Sequence, residues 1–226
     1  MNVDRILQEF HNASVDCLLI GGMNFLLNHE PELTYDVDLW VRDEISNLSR
    51  VAQALVALEA RWGTSEDTWG PVSLQAEWLQ RQVVFCLTSP HGAIDIFRRV
   101  RGLEDSYARC HEQAHLQTTA GGVPYLSLSA KDMTSVNWLY PRGKENNGVL
   151  KSCADPYKHK SMLVEPSDLK AQEEKKRELA WDPAERWKVL QETITWAEAQ
   201  LPPEQRRNRP RWHSAASEES SVTLNE

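Results

Sequence analysis

Apolar residues at positions 3, 6, 7 and 10 recur at helical spacing and predict an amphipathic helix over Val3–Phe10. Val15–Ile20 reads as a strand that ends in the pair Gly21-Gly22, and a short helix is predicted from Gly21 to Asn28. Asp36–Val41 is a second strand. Ile45, Leu48, Val51, Leu55, Leu58 and Trp62 fall on one helical face, with Gly63 after them, which predicts a helix over Ile45–Trp62. Val83–Leu87 and Ala93–Phe97 are β-prone runs joined by a turn-rich Thr-Ser-Pro-His-Gly, the pattern of a hairpin. Leu103–Leu116 is predicted helical and Val123–Leu128 a strand. Ser129 then caps another helix, with Asp132 three residues on as an approximate capping box.

The pattern changes after residue 140. Gly, Asn and Pro mark 141–156 as loop, and Asp155–Lys160 opens a further short helix. Ser167–Ala180 is a charged helix with little apolar face, which predicts a solvated element. Asp182-Pro183 followed by Glu185 starts a last helix. Its stripe of Trp187, Leu190, Ile194, Ala197 and Leu201 predicts a docking face, and Pro202-Pro203 ends it. The polar remainder is predicted disordered. The fold class is therefore α/β (α+β), a small mixed sheet backed by helices. Three parts follow: a sheet domain over 1–140, a helical C-terminal extension over 141–201 and a loose tail over 202–226.

The 226 residues are enough to bury a sizeable core. A net charge of −8 argues against extended duplex DNA binding, which needs many phosphate-neutralising Lys and Arg. No run of 18 apolar residues occurs, so no membrane span is expected, and the N-terminus lacks a signal peptide's apolar core. Cys17, Cys86, Cys110 and Cys153 are scattered without a Cys-x-x-Cys pair, as expected of free thiols in a cytoplasmic protein.

The chemistry concentrates around the glycine pair and the acidic strands. Side chains alternate along a strand, so Asp36 and Asp38 point to one side, roughly 7 Å apart. Such carboxylates suit hard divalent cations. Gly21 and Gly22 allow a backbone to approach a phosphate closely. Asp95, flanked by isoleucines, is costly to bury unless something pairs with it, and a metal shared with Asp36 and Asp38 would do so. This ordered set resembles the nucleotidyltransferase superfamily, the DNA polymerase β-like fold: an apolar strand, Gly-Gly, Asp-x-Asp, then a third acidic residue on a later strand. Thr34-Tyr-Asp-Val-Asp-Leu-Trp-Val41 looks most like the bacterial branch that includes AbiEii-type toxins. The resemblance covers roughly residues 3–140. It implies a magnesium- or manganese-dependent enzyme that moves a nucleoside monophosphate from a nucleoside triphosphate such as ATP to an acceptor. It also implies metal and catalytic roles for Asp36, Asp38 and Asp95, and nucleotide contacts at Gly21, Gly22 and Thr34.

The chain departs from that pattern where the helix after the last strand, Ala130–Leu139, lacks the interior lysine of the toxin-like branch, and Lys131 is off-register. Lys158 and Lys160 are then the candidate triphosphate or acceptor contacts. Trp40, two residues beyond Asp38, is a candidate for stacking on a base. The alternatives are an antibiotic-modifying nucleotidyltransferase and a non-catalytic binding protein of the same fold with a cognate partner in a toxin–antitoxin pair. The last is a zinc hydrolase, because His111-Glu112-Gln-Ala-His115 matches His-Glu-x-x-His, which on a helix sets two imidazoles one turn apart.

Overall fold

The computed structural model describes residues 1–28, 34–135 and 166–200. Helix α1 (Val3–Asn12) starts at Asn2, whose side chain accepts from the Arg5 amide at 2.9 Å, and buries Val3, Ile6, Leu7 and Phe10. Strand β1 (Cys17–Ile20) runs straight into helix α2 (Gly21–Asn28), and β2 (Asp36–Val41) returns antiparallel to β1.

Helix α3 (Ile45–Ala57) stops short of the expected Trp62. Glu59 adopts a left-handed conformation, φ 52°, and the amides of Ala60 and Glu59 donate back to the carbonyls of Leu55 (2.9 Å) and Val56 (3.0 Å). These two bonds form a Schellman cap, built here without the usual glycine. The chain then continues as β3 (Arg61–Trp62) and β4 (Gly70–Pro71), which extend the sheet. The expected hairpin is β5 (Val84–Ser89) and β6 (Gly92–Phe97), paired from Val84↔Phe97 to Ser89↔Gly92.

The segment expected to be helical over Leu103–Leu116 divides. Only α4 (Tyr107–Glu112) is helical, and β7 (His115–Thr118) pairs antiparallel with β8 (Pro124–Ser127). Left-handed Gly102 and Asp105 break the start, and the edge of the sheet recruits the end as a strand. Such pairing outweighs a weak helical period. Helix α5 (Ala130–Ser135) is capped as expected: the Asp132 amide donates to Ser129 Oγ at 3.2 Å, and the Ser129 hydroxyl donates to Asp132 Oδ2 at 2.8 Å. Helices α6 (Pro166–Ala180) and α7 (Pro183–Gln200) follow. The expected loop over 141–156 and the short helix from Asp155, with Lys158 and Lys160, lie outside the described residues, as do Cys153, Leu201 and the tail over 202–226.

The strands make one mixed sheet in the order β4-β3-β5-β6-β2-β1-β8-β7, parallel at β2–β6 and β1–β8. Both faces are covered. On one, α1 and α3 pack with Leu19, Val37, Leu39, Phe85, Ile94 and Ile96, and this core also holds Trp181 and Val189. On the other, Leu18, Ile20, Trp40, Cys86 and Phe97 meet Cys110 and Leu128, with Leu169 of α6 against them. The face of α7 differs from the expected one. Val189 and Thr193 are buried, while Trp187 is 61% exposed. The Thr193 hydroxyl donates to the Val189 carbonyl at 2.8 Å, so a polar residue is satisfied inside the helix and can face inward. Among the described residues, no helix is long and apolar enough to cross a membrane.

Phe85 anchors the first core edge-on between Trp62 (centroids 5.3 Å apart) and Trp78 (5.1 Å). Phe85→Ala is expected to lower unfolding stability by about 3–5 kcal/mol, read by urea denaturation.

Candidate functional site

The parallel pairing of β2 with β6 sets the geometry. Its register places Asp38 beside Asp95, with Asp36 beside Ala93. Side chains two apart on β2 share a face, so all three carboxylates lie on the second face of the sheet. They are buried, Asp38 to 2% exposure and Asp95 to 0%.

Two helices close over them. Gly21 opens α2 with φ 70°, and a Cβ there would lie 2.0 Å from Asp38 Oδ2. Glycine is thus required at this position both for backbone conformation and for space. A Cβ on Gly22 would meet Thr34 at 2.9 Å, and the Thr34 hydroxyl donates to Asp36 Oδ1 at 2.8 Å. Gly21, Gly22 and Thr34 therefore gather around the aspartates.

Helix α6 supplies what the sequence reading missed. Expected to be solvated, it lays Lys170, Glu174 and Arg177 over the carboxylates. These positions recur along one helical face. Lys170 Nζ stands 3.1 Å from Asp38 Oδ1 and 3.5 Å from Asp95 Oδ2. Arg177, 0% exposed, donates to Asp95 Oδ1 and reaches Asp36 Oδ2 at 3.4 Å. The helix looks solvated in sequence because the buried face is itself charged. The signal available was charge complementarity: two cations seven residues apart, against three carboxylates in apolar strands.

The charges do not balance. Three aspartates face two cations, and burial leaves little water to absorb the remainder. Burial pushes the Asp38 carboxyl up to about 8; Lys170 opposes the rise, and Asp36 and Asp95 add to it. Burial likewise raises Asp95 against the pull of Arg177. Burial also acts to raise Asp36, but Arg177, Lys170 and the Thr34 hydroxyl outweigh it and bring that group below its ordinary value. Burial would lower the Lys170 ammonium, yet Asp38, Asp95 and Asp36 hold it well above its usual value. Lys170 therefore stays charged, and the crowded carboxylates favour uptake of a proton, most strongly at Asp38.

Asp36, Asp95 and Glu174 each offer an oxygen within 4.8 Å of the others. This all-oxygen set fits magnesium or manganese. The Cys86 thiol donates to Asp95 Oδ2 at 3.2 Å and fixes that carboxylate from below.

Two other expectations are corrected. Trp40 does not face a cleft: it is buried, with Tyr107 edge-on at 5.1 Å between ring centroids. The His-Glu-x-x-His motif does not form on one helix, because α4 ends at Glu112 and His115 belongs to β7. His111 Nε2 instead lies 3.1 Å from Asp16 Oδ1, the same oxygen that accepts from the Tyr107 hydroxyl at 2.7 Å. That carboxylate also accepts from Arg42. The network ties α4 to the start of β1, and the zinc reading loses its geometry. Cys17, Cys86 and Cys110 are free thiols, as expected. No family model matches the chain, and no curated protein matches it.

From roughly pH 4, the ordinary aspartate range, to about 8, the native state holds a proton on Asp38 that the unfolded chain releases. Stability therefore falls as pH rises through that window. Asp36 works in the opposite sense, contributing above the ordinary aspartate range and losing that contribution on acidification. In EDTA, the wild type should lose melting temperature between about pH 6 and about pH 8 relative to Asp38→Asn. A pH-independent difference between the two melting curves would show that the carboxylates do not crowd one another.

Proposed function

We propose that this protein is a metal-dependent nucleotidyltransferase, moving a nucleoside monophosphate from a nucleoside triphosphate to an acceptor hydroxyl. One observation carries the reading: Asp38 and Asp95 are neighbours on adjacent parallel strands, with Asp36 on the same face, beneath the Gly21-Gly22 start of α2. This is the arrangement that the resemblance to the nucleotidyltransferase superfamily implies.

In this reading Asp36 and Asp38 would hold the cation that accompanies the triphosphate, and Asp95, with Glu174 beside it, would complete the set. Magnesium or manganese, when bound, supplies Lewis-acid stabilisation of charge on the attacking and leaving oxygens. The chain's own groups do the rest. The amides at the start of α2 face the phosphates, where a helix N-terminus favours anions. The acceptor oxygen attacks the α-phosphorus, the bond to the β-phosphate oxygen breaks, and pyrophosphate leaves. Asp95, whose proton affinity burial raises, takes the hydroxyl proton. RNA, protein and small molecules, antibiotics included, all offer such hydroxyls.

A second reading has its own observation. Lys170 and Arg177 already pair with the carboxylates, as a non-catalytic member of the fold, such as one half of a toxin–antitoxin pair, would require. Incubation with each α-labelled nucleoside triphosphate, magnesium or manganese, and pools of RNA, protein and small acceptors separates the two. Transfer is expected in the wild type, with a loss of about a hundredfold or more in Asp38→Asn and Asp95→Asn. His111→Ala should transfer normally. No product with any acceptor, together with no triphosphate-dependent rise in melting temperature, would favour the binding protein.

A further inference from the structure

Two cations of α6 each bridge a pair of the site's carboxylates. Lys170 spans Asp38 and Asp95, and Arg177 spans Asp95 and Asp36. A divalent ion held by the same aspartates would need the same oxygen lone pairs. Lys170 and a metal at Asp38–Asp95 are therefore alternatives, as are Arg177 and a metal at Asp36–Asp95. Like-charged oxygens packed this closely require one or the other.

We propose that α6 is an internal cation clamp, a self-inhibitory contact that keeps the carboxylates closed to metal until a divalent cation arriving with a polyphosphate displaces the helix. The proposal rests on the nucleotidyltransferase reading of the aspartates.

Two features support displacement of the helix as a unit. Lys170 and Arg177 stand about two turns apart on one rigid element. Arg177 is fully buried, so its guanidinium cannot swing clear while α6 stays docked. Away from these two cations, Leu169 packs on the second core, the Trp62 indole donates to Glu173 Oε2 at 2.8 Å, and Lys176 Nζ lies 4.5 Å from the Trp62 ring centroid.

A polyphosphate also gives the displaced cations somewhere to go. Arg177 Nε is buried without an acceptor in the clamped state. Phosphate oxygens match a guanidinium fork, so the anion offers Arg177 more bonds than the aspartates do. Metal alone must break two bridges; metal with a polyphosphate replaces them.

Full-length protein tests this with manganese and inorganic tripolyphosphate as probes. Manganese binding is followed by the electron paramagnetic resonance signal of the free ion, and α6 docking by hydrogen exchange of residues 166–180. Lys170→Met should bind manganese about tenfold or more tightly than the wild type, the effect of removing one competing charge. Wild-type α6 should lose amide protection when manganese and tripolyphosphate are added together, and much less with either alone. Manganese binding equally well or less well to Lys170→Met would overturn the clamp while leaving the metal site standing. So would wild-type binding with no change in α6 exchange, a result that needs no variant to fold. If neither the wild type nor Lys170→Met binds manganese any better than Asp38→Asn does, the metal-centred reading fails, and the clamp with it.

Discussion

Three buried carboxylates facing the buried Arg177 and the half-buried Lys170 are the constraint on which the rest of this structure depends. Removing such charges from water is expensive, and the cost is recovered only with partners at close range. Asp36, Asp38 and Asp95 stand on the central pair β2 and β6, where both faces of the sheet are covered. No solvent-facing position is available to them. Lys170 and Arg177 must therefore come from outside the sheet, and α6 docks on its second face to deliver them. The position of the C-terminal helices follows from the electrostatics of strands more than 70 residues earlier in the chain.

The same constraint explains the small details around the site. Gly21 has no side chain because the Asp38 carboxylate fills the space a Cβ would take. The Thr34 hydroxyl and the Cys86 thiol each spend their one proton on an aspartate oxygen. Even with these bonds the cluster carries one negative charge more than its cations offset, and Asp38 answers by holding a proton. A proton taken up among crowded carboxylates marks a place that a divalent cation would fill, so the resting arrangement and the proposed metal binding draw on one set of residues.

A second polar network, at the opposite end of β1, has a different character. Asp16 gathers Arg42, Tyr107 and His111, which come from the residue after β2 and from α4. Its charges are partly exposed, so each contact is individually weak. It orients α4 and buries Trp40 beneath Tyr107, which closes off the ring that the sequence offered as a stacking platform. The histidine that resembled a zinc ligand is a member of this network.

The sequence by itself determined the central strands, most of the first-face helices and the aspartates. Strand alternation placed Asp36 and Asp38 on one face, and the isoleucines around Asp95 marked it as buried; those facts depend only on neighbours in the chain. The apolar period also located α1 and the start of α3. It could not locate the end of α3, because Glu59 takes the left-handed cap position that glycine usually signals. It could not anticipate β7, because that strand exists only through pairing with β8. The inward face of α6 was illegible for a related reason. Hydrophobic periodicity reports burial only when the buried face is apolar, and here Lys170 and Arg177 are buried by attraction to carboxylates that are distant in sequence. Tertiary structure alone decided that contact, since a charge has no intrinsic preference for the interior and enters it only where an opposite charge is already held.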